Sequence, residues 1–470
     1  MGNTRDLAPQ AWRRLATIRG RLETFLGRRG YDVVGVPSLE QTELFLRKSG
    51  GELASRMYSF TDPSGRRVSL RPEFTSSVVR AYAEGTITGP LPLRLQYHGP
   101  VFRYEGEGEG HSGAIEFEQV GAEMIGAGGE VADAEVIALA AQGLALLGVR
   151  GHRLRIGHVG VANALLGAFG LTERARVFIL GSLDDLRAGG LRAESVHRRA
   201  EDMGMLSQPK RRQLTSLASR LATEDAKEMV EGFLADAVSG ATGQRSAEEI
   251  FRRYLEKLRE VGDPAAVKRA LDFAGDLAAA AGPISPARKR LGGLVGKYRI
   301  DPAVLEPLDR LIEALNGYDL MGAQAVLDIG TARGIAYYTG VVFDIEHARV
   351  KEAPPLGGGG RYDGLVRALG ADGDAPALGF AYSLERISQL LPTTFGDDEP
   401  EPPGRVLITA QETGIRQAVE TAERLRAQGI PAEIEVLGRN DRESARYAKQ
   451  RGIETIIRVG RDGTVDEQRV

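Results

Sequence analysis

The chain has 470 residues, 42% of them hydrophobic, with 61 Lys and Arg against 64 Asp and Glu. It contains no cysteine, which excludes disulfides, thiolate metal sites and cysteine nucleophiles. The formal net charge of −3 excludes a chain held to nucleic acid by bulk basicity, although a local basic face is compatible with it. The length calls for two or three domains, and both helical and strand-like patterns occur. The first residues, Met1 to Asp6, contain no apolar signal core, and no apolar run is long enough to span a bilayer, so no membrane association and a cytoplasmic location are expected.

In chain order, residues 9–30 are amphipathic, with Leu15, Ile18, Leu22 and Phe25 at helical spacing. Val33 and Val34 lead as a short strand to Pro37. Residues 59–70 alternate around an Asp62-Pro63-Ser64-Gly65 turn, as a hairpin does. Residues 94–104 and 115–125 are two more strand candidates, joined by a loop rich in Gly and Glu. Residues 134–147 are apolar but carry Glu135 and Gln142, which fits a core helix. From 186 to 315 charged helical patterns prevail, notably at 247–261 and 264–280, and this block reads as an inserted helical domain. Its basic clusters, Lys210-Arg211-Arg212 and Arg288-Lys289-Arg290, are interspersed with acids, as on a solvated helix face; an RNA contact is the other reading. Strands return at 325–328 and 341–345, four glycines follow at 357–360, and a helix is expected from near Tyr362. A linker rich in Asp, Glu and Pro at 397–404 precedes a β-α-β-α-β pattern, which predicts a three-stranded parallel sheet with crossover helices.

Five short segments carry chemistry. In Leu70-Arg71-Pro72-Glu73-Phe74-Thr75, a carboxylate and a hydroxyl two residues apart share one face of a strand-like segment and can receive an ammonium group; the same residues also make an ordinary turn. Arg103 leaves one strand of the central hairpin, where a guanidinium can grip a phosphate with two hydrogen bonds. On the returning strand Phe117, Gln119, Gly121 and Glu123 share a face, which makes a polar pocket with an apolar end, or an ordinary hairpin with a surface ion pair. Arg333 suits a carboxylate, and Tyr337-Tyr338 offer aromatic walls with hydroxyls, or core packing beside a turn. Gly357–Gly360 allow close backbone approach to a ligand, or form a loop. Arg386, in a segment read as a strand entering a helix, is available to an anion. The six histidines are scattered and no metal site is expected. Gly106, Gly108 and Gly110 lie in an acidic loop that would repel a dinucleotide pyrophosphate.

Taken in order, these segments resemble the histidyl-tRNA synthetase family of class II aminoacyl-tRNA synthetases. Phe102-Arg103 looks like the motif 2 arginine and Arg386 like the motif 3 arginine. The segments from Leu70 to Thr75, Arg333 to Tyr338 and Gly358 to Leu365 are similar to the histidine-specific signatures. Thr4-Arg5-Asp6-Leu7, Thr42-Glu43-Leu44-Phe45 and Val78-Val79-Arg80-Ala81-Tyr82 add to the likeness. The resemblance implies an α+β fold: an antiparallel-sheet class II core (1–190 and 323–396), a helical insertion (191–322) and a small α/β anticodon-binding-like domain (404–470). It implies that Glu73, Thr75 and Gln119 hold the ammonium group of histidine, that Glu123 and Tyr338 read the imidazole with Tyr337 beside them, and that Arg333 meets the carboxylate. Arg103, Glu105 and Arg386 would bind ATP, which brings Mg²⁺ with it, and Arg103, Arg333 and Arg386 would be catalytic. The region around Pro37 takes the place of the dimerising motif 1, so a homodimer is implied, with tRNA as the macromolecular partner.

The sequence departs from the family pattern in three places. Gly113, Ala114, Ile115 and Glu116 stand where arginines usually precede the Phe117 step. Ala336 stands where Asp usually precedes the paired tyrosines. The last domain ends soon after its third predicted strand. These departures fit a non-charging paralogue, the histidine-sensing regulatory subunit that partners the catalytic subunit of ATP phosphoribosyltransferase in histidine biosynthesis. Glu73, residues 78–82 and the tail domain favour the synthetase.

Overall fold

The computed structural model describes residues 6–47, 50–104, 115–206, 263–331, 337–350, 355–371, 373–395, 404–410, 414–460 and 464–470. It divides into two compact units, Met1–Leu391 and Pro392–Val470.

Twelve strands of the first unit are described: β1 (Asp32–Val33), β2 (Leu39–Gln41), β3 (Ser59–Thr61), β4 (Arg67–Leu70), β5 (Leu93–Phe102), β6 (Glu116–Ile125), β7 (His152–His158), β8 (Gly282–Pro283), β9 (Gln324–Leu327), β10 (Val341–His347), β11 (Gly357–Arg361) and β12 (Ala377–Ser383). Nine of them form one sheet in the order β1-β5-β6-β12-β11-β10-β7-β9-β8. The run from β5 through β7 is antiparallel at every step. The long central hairpin sets this register, with Val101 opposite Phe117, Gly99 opposite Gln119 and Tyr97 opposite Gly121. A separate small sheet, β2-β4-β3, contains the hairpin around Asp62. Asp62 Oδ1 closes that turn by accepting from the amides of Ser64 at 2.8 Å and Arg66 at 2.9 Å.

The helix Pro9–Gly27 starts with proline at its first turn and buries Leu15, Ile18, Leu22, Phe25 and Leu26 as one stripe. The helix Glu130–Leu146 is buried on almost all sides, as its alanine-rich, apolar sequence requires. Helices from Val159–Gly167 to Glu306–Asn316 share a second core, including Ile179, Leu183, Leu271, Phe273, Leu277 and Leu308. Arg288 pairs with Asp309 there, whereas Lys210-Arg211-Arg212 and the pattern at 247–261 lie outside the described residues.

Gly357–Arg361 is a central strand and not a loop, and Gly357, Gly358 and Gly359 lie along the cavity described below; the helix after the strand starts at Leu365, not at Tyr362. Its glycines are needed by the sheet. A Cβ at Gly358 would stand 2.7 Å from the Phe343 carbonyl oxygen and one at Gly360 2.6 Å from that of Val341; at Gly357 and Gly359 it would overlap Ala381 and Gly379 backbone oxygens.

In the second unit the sheet order is β14-β13-β15-β16, with β13 Val406–Ala410, β14 Ala432–Ile434, β15 Thr455–Val459 and β16 Val465–Arg469. The first three are parallel as expected, but a fourth, antiparallel strand follows them. β16 is exposed along its whole length and therefore has no apolar alternation to announce it. Helices Ile415–Ala427 and Asp441–Arg451 provide the crossovers; the second starts on a capping box between Asn440 and Glu443.

Candidate active site

One cavity of ≈ 290 Å³ opens over the antiparallel centre of the large sheet. Its wall includes Glu73, Thr75, Tyr97, Arg103, Phe117, Gln119, Tyr337, Tyr338, Tyr362 and Arg386. Residues some 300 positions apart in sequence thus meet over β5, β6, β11 and β12. Arg333 and Glu105 lie outside the described residues, as do Ala336 and residues 113–114 of the altered hairpin.

Glu73 and Thr75 both reach the cavity, but not as neighbours on a strand. β4 ends at Leu70, and Thr75 opens the helix Thr75–Ala83. Glu73 folds back onto that helix, its oxygens 3.1 and 3.2 Å from the Ser76 amide. The turn bends because Arg71 is pulled inward: its guanidinium donates to the carbonyls of Pro100 at 2.8 Å and Val36 at 2.8 Å and lies 3.9 Å over the Phe74 ring. Glu73 is buried, and that burial pushes its carboxyl above the usual range.

On β6 the expected face is realised. Phe117 and Gln119 line the cavity, and Gly121 leaves room for the Tyr97 ring across the hairpin. Gln119 is 8% exposed, and its buried Oε1 has no hydrogen-bond partner among the described residues. A buried carbonyl in that state asks for a donor. Glu123 lies deeper. Its Oε1 accepts from Thr75 Oγ1 at 2.7 Å and Tyr97 Oη at 3.0 Å, and its Oε2 accepts from Tyr362 Oη. Burial pushes its carboxyl up to about 7, against the pull of these three hydroxyls.

Tyr337 and Tyr338 meet edge to face at 5.0 Å, and Tyr337 meets Tyr362 at 5.7 Å. The strand that follows them is anchored through Arg361. The Thr339 amide donates to the Arg361 carbonyl at 2.8 Å, while the Arg361 guanidinium holds Asp133 at 2.8 Å and the carbonyl of Ala127 at 2.9 Å. At the other end of the cavity, Arg103 stands 4.8 Å and Arg386 5.7 Å from the centre of the Phe117 ring. Arg386 also donates to the Pro355 carbonyl at 3.0 Å. The cavity is therefore graded, from acceptors at Glu73, Gln119 and Glu123 to guanidinium groups at Arg103 and Arg386. Such a gradient suits a substrate with a cationic amine at one end and an anion at the other.

A sequence profile described as histidyl-tRNA synthetase matches residues 3–231 and 227–387 of the chain. The chain belongs to the histidyl-tRNA synthetase family. It is 30% identical to a histidine–tRNA ligase of Methanocaldococcus jannaschii over 97% of this chain and 90% of that protein. It is 31% identical to one of Pyrococcus furiosus, again over 97% of this chain and 90% of the relative. Among solved structures, it resembles an ATP phosphoribosyltransferase regulatory subunit/histidyl-tRNA synthetase from Bacillus halodurans. The TM-score there is 0.63 at 22% identity, over 97% of this chain and 96% of that one, which establishes the shared fold.

Within this synthetase-family core, sequence reading missed Tyr97 and Tyr362 at the site. Tyr97 was legible in principle: once the hairpin register is drawn it falls opposite Gly121, whose missing Cβ leaves the ring room. Tyr362 falls inside the segment Gly358 to Leu365 that carries the resemblance, but its contact was not legible, because its partner Glu123 is 239 residues away. No helix among the described residues is long and apolar enough to cross a membrane.

Proposed function

We propose that the chain activates histidine with ATP and transfers the histidyl group to tRNA. The observation that carries this reading is that buried Glu73 and Gln119, whose Oε1 has no hydrogen-bond partner among the described residues, line one cavity with the guanidinium groups of Arg103 and Arg386. In this reading Glu73, Thr75 and Gln119 bind the ammonium group. Glu123 and Tyr338 read the imidazole, Glu123 in company with the Tyr97 and Tyr362 hydroxyls that bond it, and Tyr337 closes the side. Arg333 meets the histidine carboxylate. Arg103, Glu105 and Arg386 bind ATP, with the guanidinium groups of Arg103 and Arg386 both near the Phe117 ring, and Mg²⁺ arrives with the nucleotide as substrate.

A carboxylate oxygen of histidine attacks the α-phosphorus, the bond to the β-phosphate bridging oxygen breaks, and pyrophosphate leaves. A hydroxyl at the tRNA 3′ end then attacks the carbonyl carbon and AMP leaves. Neither step requires a protein nucleophile, so the residues act by alignment and by placing positive charge where negative charge builds up. A homodimer belongs to the same reading.

One observation favours a second reading. Glu116 stands exposed at the start of β6, where the family pattern has cations, and it would repel a triphosphate. The alternative is a histidine-sensing regulatory subunit that partners the catalytic subunit of ATP phosphoribosyltransferase. Histidine-dependent ATP–pyrophosphate exchange separates the two. Exchange with histidine alone, among a panel of amino acids, is the expected result. Histidine binding by calorimetry without exchange would overturn it in favour of the regulatory subunit.

A further inference from the structure

Glu385 has no part in the reading above, yet it sits where the two arginine-bearing elements join. β12 ends at Ser383, opposite Gln119 of β6, and the helix Leu384–Leu390 begins at the next residue. The ladder between the two strands stops there, so the next amide on β6 needs an acceptor from elsewhere. Glu385 Oε1 supplies it, accepting from the Glu118 amide at 2.8 Å.

The surroundings give this single bond leverage. Glu118 lies between Phe117 and Gln119, the two residues of this stretch that line the cavity. Adjacent helix residues thus hold adjacent strand residues: Glu385 takes the Glu118 amide, and Arg386 stands over the Phe117 ring. The helix Pro9–Gly27 braces both pieces from outside. Arg19 Nη1 donates to Glu118 Oε1 at 2.8 Å, and Arg14 Nη2 donates to the carbonyls of Ser388 and Leu391, each at 2.6 Å. Burial pushes the Glu385 carboxyl up, and the Glu118 amide works against that shift. A buried acceptor held by a backbone donor is costly to delete, because the donor is then left without a partner.

We infer that Glu385 is a positioning residue: it fixes the start of β6 against the helix Leu384–Leu390 and so sets the slot between Phe117, Arg103 and Arg386 that receives the nucleotide. The nucleotide's identity rests on the synthetase reading.

The test uses the full chain with Glu385→Ala and Glu385→Gln, the second of which keeps an acceptor oxygen. Three quantities are read: amide hydrogen exchange in peptides covering residues 116–120, and the affinities for Mg²⁺-ATP and for histidine by calorimetry. Glu385→Ala should exchange faster at Glu118 and bind ATP about tenfold more weakly, with a smaller loss of histidine affinity, since Gln119 is further held by its strand neighbours. Glu385→Gln should stay close to wild type. Unchanged ATP affinity in Glu385→Ala would overturn the inference. So would a Gln variant as weak as the Ala variant, or an equal loss of histidine affinity, which marks general damage. If Glu385→Ala does not fold, Glu385→Asp, with its acceptor drawn back by one methylene, takes its place with the same expectations. A wild-type chain that binds ATP but performs no exchange would sink the synthetase reading, while ATP affinity would still judge the role of Glu385. A wild-type chain that does not bind ATP would overturn the inference itself.

Discussion

Glu123→Gln tests the electrostatic account of the cavity floor. Glu123 is 1% exposed, and its carboxyl is pushed from an ordinary 4.5 up to about 7. Below pH 4.5 the group is protonated in both folded and unfolded chains and contributes no difference. From there upward the unfolded chain loses its proton, while the folded chain keeps it until about pH 7. Stability present at low pH is therefore lost as pH rises through this window, by roughly 3 kcal/mol once Glu123 is fully ionised. Glutamine keeps the shape and cannot ionise. It accepts fewer of the three hydroxyl bonds, which adds a cost independent of pH. Relief of the repulsion between Glu123 and Glu73 acts in the same direction as the main effect. Urea unfolding from pH 5 to 8 measures the difference, followed by fluorescence of Trp12, the single tryptophan, which reports on the unit Met1–Leu391. The wild-type curve should fall relative to the variant by most of that roughly 3 kcal/mol across the range. Parallel curves would refute the argument that burial, rather than the hydroxyl cage, sets the charge state of Glu123.

Three further expectations follow from the same structure. His158 Nδ1 caps the helix Val159–Gly167 by accepting from the Val161 amide at 3.2 Å, and burial pushes its imidazole down to about 4. The unfolded chain takes up that proton near pH 6.5, so stability present above 6.5 is lost as pH falls towards 4, by about 3 kcal/mol; His158→Asn, which keeps a cap, should remove this acid loss in urea unfolding between pH 4 and 7. Gly359→Ala drives a methyl into the Gly379 carbonyl and the Phe380 backbone at the sheet centre and should cost at least about 3 kcal/mol or abolish soluble expression. Gly20→Ala, in the exposed middle of the helix Pro9–Gly27 with nothing within 4 Å of the added carbon, should stabilise by up to about 1 kcal/mol; thermal unfolding of the pair checks both signs.

Much of this was legible in the sequence because it depends on near neighbours. The apolar stripe of the helix Pro9–Gly27, the Asp62 turn, the hairpin of β5 and β6 and the shared face of Phe117, Gln119 and Glu123 follow from periods of 3.6 and 2, which a few residues suffice to display. The order of the motifs was enough to point to the family.

Other features depended on which distant segments came to lie side by side. Read locally, four glycines look like a loop. They form a strand because β10 and β12 close on both sides and leave no room for a Cβ. Glu73 and Thr75 meet at the cavity through a turn and a helix start, because Arg71 is drawn to carbonyls about 30 residues away. β16 has no apolar face to reveal it and exists because β15 offers an unpaired edge. Local pattern alone shows which side chains share a face of β6, Phe117, Gln119 and Glu123 among them. The convergence of Thr75, Tyr97 and Tyr362 on Glu123 arises from the folded arrangement. Sheet register and burial, which act between residues far apart in the chain, place those hydroxyls, and no local preference encodes them.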